Sequence, residues 1–266
     1  MRATEIKSCY IGPEISPEQF IPEHFFLYIA KGSIHGYDGN KSYTLRPGEC
    51  CIVRKNRLAR YNKEKENNEF EKVIVIFDQQ FLKKFQEKHK AVLTKINSQE
   101  SFLRVTKNEL IPDFIRSLMP YYNRAGKIDR KFADVKREEL LIILLQNQPE
   151  LAGVFFDYGI PEKINLEEFM NRNFKFNVSI QRFAYMTGRS LSAFKRDFKT
   201  TFNETPGHWL VKKRLGEAHF LMEKKKKKSS EIYLELGFED LSHFSFAFKK
   251  YFGYAPSDLP KMLNHG

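Results

Sequence analysis

The chain has 266 residues, enough for one large domain or two smaller ones, and its 45 basic and 33 acidic residues give a net charge of +12. Its three cysteines, Cys9, Cys50 and Cys51, lack the spacing of a disulfide framework, which argues for a reducing cytosol. No apolar segment approaches the ~18 residues needed to span a bilayer, and none follows Met1–Glu5, so we expect a cytoplasmic protein with neither a membrane span nor a secretory leader.

Residues 25–77 have the pattern of short β-strands separated by turns. Asp38-Gly39 lies between two such segments and predicts a β-hairpin. Adjacent Cys50 and Cys51 should point to opposite faces of their strand, one buried and one exposed. The predicted strands are 25–30, 34–37, 42–45, 50–53, 57–61 and 72–77, with a polar loop at 63–68. Short strands at this spacing favour a small antiparallel barrel or a double-sheet jelly roll.

Three histidines lie in or near this β-rich region: His24, His35 and His89. Barrel enzymes that bind a metal usually supply a His-x-His pair and a following Glu, and this chain has no such pair. We therefore predict no metal site, no cofactor and no catalytic residue. A redox or alkyl-acceptor role for Cys50 or Cys51 is the enzymatic alternative.

After Asp78 the pattern becomes helical. Residues 79–88 are amphipathic, 101–105 is a candidate strand, and Asn108 is placed to cap a further helix. The predicted apolar face of that helix contains Leu110, Ile111, Phe114, Ile115, Leu118 and Met119. A second helix at 132–146 contains the run Leu140–Leu145, which is apolar nearly all round and should be buried on more than one side. These helices could cover the barrel or pair across a dimer. Gly159-Ile-Pro161 then predicts a domain boundary.

From Ser179 to Pro260 one pattern occurs twice. Each copy has an apolar helical turn, a glycine, a polar restart and a basic, aromatic helix. Gly188 and Gly237 stand where the first helix needs a left-handed cap, which glycine adopts without a Cβ clash. Ser190 and Asp240 can then cap the next helix. Each copy has the dimensions of a helix-turn-helix, whose second helix lies in the DNA major groove.

The second helix of each copy is amphipathic. The predicted buried residues are Leu191, Phe194 and Phe198 in the first copy and Leu241, Phe244, Phe248 and Phe252 in the second. The opposite side carries Ser192, Lys195, Arg196 and Lys199 in the first and Ser242, His243, Lys249 and Lys250 in the second. Residues 172–228 hold 15 Lys and Arg against 4 Asp and Glu. This excess is expected of a phosphate-binding surface, although charge alone also fits a solvated face.

The second copy resembles the signature of the AraC/XylS family of bacterial transcription regulators. The matching residues are Gly237-Phe238, Ser242-His243-Phe244-Ser245 and the run from Phe248 through Phe252-Gly253 and Pro256 to Ser257. The first copy matches through Ala184, Gly188, Ser190, Phe194, Arg196, Phe198 and Lys199, and Arg214-Leu215, Ala218 and Leu221 are similar to the family's joining helix. A helix from about 206 to 222 would span ~26 Å, enough with its loops to present both copies to adjacent major-groove segments ~34 Å apart. The resemblance covers about residues 163–262.

The resemblance implies an α+β multidomain fold. Residues 1–106 would form a cupin-like β-barrel or jelly roll that binds an effector, 107–158 a helical segment with a possible role in dimerisation, and 159–266 an all-α DNA-binding domain. In that domain two helix-turn-helix units are joined by a long helix. The implied protein is a transcription regulator and not an enzyme. Its partners would be double-stranded DNA, RNA polymerase, an effector and a second copy of the chain. Two alternatives stay open: control by a protein partner, and an enzyme or alkyl-acceptor protein with a DNA-binding tail.

The family's base-reading positions fall on particular residues here. In the first copy they are Ser192, Lys195 and Arg196, and in the second Leu241, Ser242, His243 and Phe246. Phe246 departs from the family pattern, in which a basic residue is common at that position. Tyr233 likewise replaces a small residue, and Lys228 replaces the usual helix cap. We therefore predict that the first copy provides most of the base specificity.

Overall fold

The computed structural model describes residues 6–11, 19–90, 100–122 and 128–259, with the backbone alone at 6–11 and 130–131. The chain divides into two compact units, Met1–Gly159 and Ile160–Gly266. Within the described ranges, no helix combines the length and the apolar character needed to cross a membrane.

The first unit is rich in β-strands, as the sequence pattern predicts. Its described strands are β1 (Ile6–Ile11), β2 (Phe20–Ile21), β3 (His24–Lys31), β4 (Ser33–Tyr37), β5 (Ser42–Leu45), β6 (Cys50–Val53), β7 (Arg57–Leu58), β8 (Arg60–Glu64), β9 (Phe70–Phe77) and β10 (Phe102–Arg104). They form a five-stranded sheet in the order β1-β9-β3-β6-β10, a pair β2-β7, and a three-stranded sheet β5-β4-β8. β1 pairs parallel to β9, whereas β9-β3, β3-β6 and β6-β10 pair antiparallel.

The turns of this unit follow local sequence signals in part. The predicted hairpin is confirmed: β4 and β5 pair antiparallel with Tyr37 opposite Ser42, and Gly39 has φ 92°. The predicted strand 57–61 is instead two strands, β7 and β8, separated at Ala59. The predicted loop 63–68 is also shorter than expected, because β8 continues through Glu64 and the turn lies at Asn67 and Asn68.

Both faces of the five-stranded sheet are buried at its central strands β9, β3 and β6. One face shares an apolar cluster with the two smaller sheets, formed by Ile21, Phe25, Leu27, Ile29, Ile34, Leu45, Cys51, Val53, Phe70, Ile74, Ile76 and Phe102. The other face packs against the helices of the unit through Phe26, Cys50, Ile52, Val73, Val75 and Phe77. Cys51 is 1% exposed and Cys50 8% exposed, so the expectation that one cysteine is exposed is wrong. Alternation in one strand does not reveal that helices cover the second face.

The described residues of this unit include four α-helices: α1 (Gln79–His89), α2 (Leu110–Leu118), α3 (Arg130–Asn147) and α4 (Ala152–Phe155). Asp78 caps α1 by accepting a hydrogen bond from the Phe81 N–H. In α3, Leu140, Leu141 and Leu144 are fully buried, as the apolar run predicts. The predicted apolar face of α2 is only partly buried, because Leu110 is 49% and Met119 65% exposed.

The second unit is helical. Its described helices are α5 (Leu166–Asn173), α6 (Ile180–Met186), α7 (Leu191–Phe202), α8 (Pro206–Lys225), α9 (Ser229–Ile232) and α10 (Leu241–Phe252). Pro206 occupies the first turn of α8, where its missing N–H costs nothing. α8 has 20 residues, three more than predicted, and its C-cap residue Lys226 has φ 53°. At 1.5 Å per residue it is ~30 Å long.

Candidate nucleic-acid interface

The first helix-turn-helix consists of α6 and α7. Ser179 caps α6 through the Arg182 N–H at 3.2 Å, and Ser190 caps α7 through the Ala193 N–H at 3.3 Å. Gly188 between them has φ +65°, and a Cβ there would lie 2.3 Å from the Glu162 carbonyl carbon. The turn therefore needs glycine both for its conformation and for the close approach of another backbone segment.

The two faces of α7 divide as predicted from the sequence. Phe194 and Phe198 are fully buried, and the Phe198 ring packs edge-on to Trp209 of α8 at 5.6 Å, while Leu191 is partly buried. The opposite stripe is exposed at all four predicted positions, Ser192, Lys195, Arg196 and Lys199. The phenylalanines thus fix the orientation in which α7 presents its polar stripe.

A buried arginine not singled out from the sequence holds α7 in place. Arg189 Nε donates to Asp197 Oδ2 at 3.1 Å, and Arg189 Nη1 donates to the carbonyls of Thr187 and Ile164 at 2.7 and 3.0 Å. The hydrogen bond from Arg189 is the main cause that lowers the pKa of Asp197 below its usual value. Arg196, in contrast, approaches Asp197 only at 3.4 Å and its side chain is 76% exposed. Arg189 therefore binds the carboxylate and Arg196 stays available to a ligand.

The second helix-turn-helix begins with α9, which has only four helical residues. Lys228 at its N-cap position has no acceptor for the orphan N–H groups, and Glu231 instead accepts from the Lys228 N–H at 2.9 Å. Gly237 ends the following turns with φ +82°, and Asp240 caps α10 through the His243 N–H at 2.6 Å. The predicted glycine and cap are both confirmed.

The exposed face of α10 is more apolar than that of α7. Phe244 and Phe248 are fully buried and Phe252 partly so. Leu241 is 37% exposed, so its predicted burial is wrong: it is the first helical residue, beyond the reach of the core. Phe246 is 68% exposed. The remaining predicted site residues Ser242, His243, Lys249 and Lys250 are exposed as well.

The groups that would favour an enzyme lie apart and are poorly suited to chemistry. His24 is 2% exposed and burial lowers its pKa well below the usual value, whereas His35 contacts Glu64 and His89 contacts Glu138. Among the described residues, no three His, Cys, Asp or Glu side chains converge as metal ligands. Burial raises the pKa of Cys50 to about 12 and also raises that of Cys51, which opposes formation of a thiolate.

A β-sheet-rich N-terminal unit and a helical unit with two helix-turn-helix motifs define a two-domain DNA-binding regulator. Residues 24–154 match the ExsA N-terminal regulatory domain and residues 183–262 match a helix-turn-helix domain. The chain belongs to the AraC family of transcription regulators.

Curated relatives match over most of their length. The virulence regulon transcriptional activator VirF of Yersinia enterocolitica is 25% identical over 250 residues, 90% of this chain and 91% of its own. The regulator ExsA of Pseudomonas aeruginosa is 22% identical over 260 residues, 95% of this chain and 91% of its own. The crystal structure of an apo ToxT variant from Vibrio cholerae is 15% identical and aligns with 91% of this chain and 89% of its own, with a TM-score of 0.45.

Proposed function

We propose that the exposed stripes of α7 and α10 are the surfaces with which the protein reads duplex DNA. The observation that supports this proposal is that each helix buries two phenylalanines completely and turns the opposite stripe, which carries basic and polar residues, outward. The proposed contact residues are Ser192, Lys195, Arg196, Lys199, Ser242, His243, Phe246, Lys249 and Lys250. In both modules the stripe lies on the second helix of a helix-turn-helix, the element that enters the major groove.

The proposed contacts differ in chemistry. Lys195 and Arg196 suit the O6 and N7 acceptors of guanine, and Phe246 can contact a thymine methyl group. Lys199 suits phosphate oxygens, as do Lys249 and Lys250, which position the protein without specifying sequence. The ~30 Å length of α8 and its flanking loops supports simultaneous contact with two major-groove segments about 34 Å apart.

Genome-wide footprinting of a tagged chain tests this function. We expect discrete sites with two sequence blocks about one helical turn apart. A matched chain with Lys195→Ala and Arg196→Ala should lose the block under α7 while keeping its fold, checked by circular dichroism. Retention of both blocks by this variant would contradict the assignment of α7.

We also infer that the regulator activates transcription and contacts RNA polymerase in the bacterial cytoplasm. The basis is VirF, which is named a transcriptional activator and matches 90% of this chain. In-vitro transcription from a footprinted promoter should rise when the purified protein is added. A fall in transcript would instead favour repression.

For the N-terminal unit we propose control by an effector, and the packing supports a protein partner as the alternative to a small molecule. Twelve buried apolar side chains form the cluster shared by its three sheets, and Tyr43 and Ala59 pack against it. Such packing favours recognition at the surface over an internal ligand. Native mass spectrometry of the purified chain should show no added mass from a bound small molecule. A bound small molecule that changes DNA affinity would instead support control by a small-molecule effector.

The helical part of the first unit, within residues 107–158, is the proposed dimerisation segment. Several large apolar side chains are exposed on α2, on α3 and in the turn that follows α2: Leu110, Met119, Tyr121, Phe132 and Val135. The rings of Tyr121 and Phe132 lie 5.0 Å apart. Sedimentation should show a dimer that Val135→Glu dissociates. Ile160→Glu adds the same charge at another exposed apolar residue and should leave the dimer intact. A monomeric parent chain would contradict the proposal.

A further inference from the structure

Arg214 lies near the middle of α8 and makes three hydrogen bonds with backbone carbonyls. Its Nε donates to the Phe174 carbonyl at 2.7 Å, its Nη2 to the Phe176 carbonyl at 2.8 Å and its Nη1 to the Gly237 carbonyl at 2.9 Å. The three nitrogens of one planar group therefore bind three different residues, and Gly237 is far from the other two in the sequence.

The charge of Arg214 is stabilised by dipoles and not by a counterion. In the described part of the chain no carboxylate forms an ion pair with it, and burial lowers its pKa to about 10. It therefore remains protonated at neutral pH. Phe174 is the C-cap of α5, and Gly237 ends the turns after α9, so two of the three accepting carbonyls are of the kind that helix ends leave unpaired. A cation suits such carbonyls because they carry the partial negative charge of the helix end.

These carbonyls lie in the segments that lead into both helix-turn-helix modules. Phe174 and Phe176 lie in the segment that leads into α6, and Gly237 lies in the turn that leads into α10. A Cβ at Gly237 would lie 2.8 Å from Arg214 Cζ and 2.8 Å from the Lys175 carbonyl oxygen. The turn of the second module is thus packed directly on the guanidinium and on the lead-in segment of the first.

We propose that Arg214 sets the position of α10 relative to α7, and thereby the spacing between the two DNA blocks that the protein accepts. The proposal rests on the proposed function, in which both helices read DNA. Arg214 is a positioning residue that acts through the backbone of both modules. A helix such as α8 fixes the distance between modules, whereas its loops leave their rotation free. Three divergent hydrogen bonds from one rigid, planar group remove that freedom, and the single ammonium of lysine cannot make the same set.

The test uses the full chain and a library of random duplexes, from which each variant selects its own sites. The parent chain should select two blocks at one spacing. Changing that spacing by one base pair shifts the second block by about 3.4 Å and about 34°, and should lower affinity by roughly tenfold. Arg214→Met should select the same blocks over a spread of spacings, with a loss of less than about threefold per base pair. Arg172→Met, at an exposed residue of α5, is the matched control and should behave as the parent.

The outcomes distinguish a failure of the two-module function from a failure of the proposed role of Arg214. If the parent selects a single block, the two-module function fails, whatever Arg214 does. If the parent selects two blocks and a folded Arg214→Met selects them at the same single spacing, the role of Arg214 is overturned. If Arg214→Met does not fold, Arg214→Lys takes its place, and unfolding of both variants would overturn the proposal by showing that the guanidinium serves folding alone.

Discussion

The two helix-turn-helix modules share a buried scaffold and differ in what they expose. Each has a left-handed glycine, a capped second helix and two fully buried phenylalanines on that helix. Yet α6 has seven residues and a serine cap, whereas α9 has four residues and no side-chain cap. The exposed stripe of α7 carries Lys195 and Arg196, whereas that of α10 carries Phe246. Packing constrains the inner face of each module, and the outer face is free to diverge because no core residue depends on it.

The largest expected difference lies at the glycines. Gly188→Ala should destabilise the chain by about 3 kcal/mol or more. The alanine Cβ would clash with backbone atoms of Glu162, and the residue would have to keep a left-handed φ. Gly237→Ala should cost about 2 kcal/mol, since the nearest atoms to its Cβ lie at 2.8 Å, less close than the 2.3 Å at Gly188. Urea unfolding followed by the fluorescence of Trp209, the single tryptophan, measures both.

Gly253→Ala is the control for this series. Gly253 has φ +85° with no atom within 4 Å of a built Cβ, so only backbone strain of about 1 kcal/mol is expected. Equal losses at all three glycines would show that conformation alone decides, and that the packing of the first turn is no tighter than that of the second.

The modules should also differ in how they bind DNA. Arg196→Ala should cost ~1–3 kcal/mol on the cognate site and relax specificity at one base pair, with little effect on random DNA. Lys249→Ala should weaken binding to cognate and random duplexes alike, because phosphate contacts carry no sequence information. Fluorescence anisotropy at fixed salt measures these affinities. An equal loss on both duplexes for Arg196→Ala would make it a phosphate ligand.

A finer measure is the information content of the two half-sites. With every operator position randomised, the half-site under α7 should tolerate few changes, each costing about 1–3 kcal/mol. The half-site under α10 should be degenerate and biased towards A·T, because Phe246 cannot donate a hydrogen bond. Equal information in the two half-sites, or more in the second, would remove the proposed inequality.

The smallest expected effect concerns the helix caps. Lys228→Ser should stabilise the chain by about 0.5–1 kcal/mol, because serine supplies the acceptor that α9 lacks. Ser190→Ala should lose about 1 kcal/mol, since it removes the existing cap of α7. Thermal unfolding compares the two variants with the parent chain. No gain from Lys228→Ser would indicate that the Glu231 hydrogen bond already stabilises this helix end.

Much of the second unit follows from local sequence. Ser190 and Asp240 cap the helices predicted for them, and Gly188 and Gly237 have the predicted left-handed φ. These features depend on groups within about four residues of one another, so a short segment contains the information. Periodicity alone placed Leu241 in the buried stripe, but it is 37% exposed because the fully buried residues of α10 begin one turn further along, at Phe244.

The fold of the first unit depends more on contacts between residues that are far apart in the sequence. The hairpin at Gly39 was predicted from two turn residues, but the parallel pairing of β1 with β9 joins Ile6 to Phe70 and has no local signal. The burial of Cys50 likewise depends on helices that follow the strand by more than 25 residues.

The sequence by itself determined the kind of element formed at most positions and the residues that cap or end the elements, because hydrogen bonds and periodic burial within a few residues govern both. Only the tertiary structure decided which basic side chains bind groups within the protein and which stay exposed. Arg189 and Arg214 are basic residues in a basic segment like Lys195 and Arg196, yet their guanidinium groups bind protein carbonyls and a carboxylate. The sequence gives the charge of a side chain, whereas the tertiary structure determines which group that side chain binds.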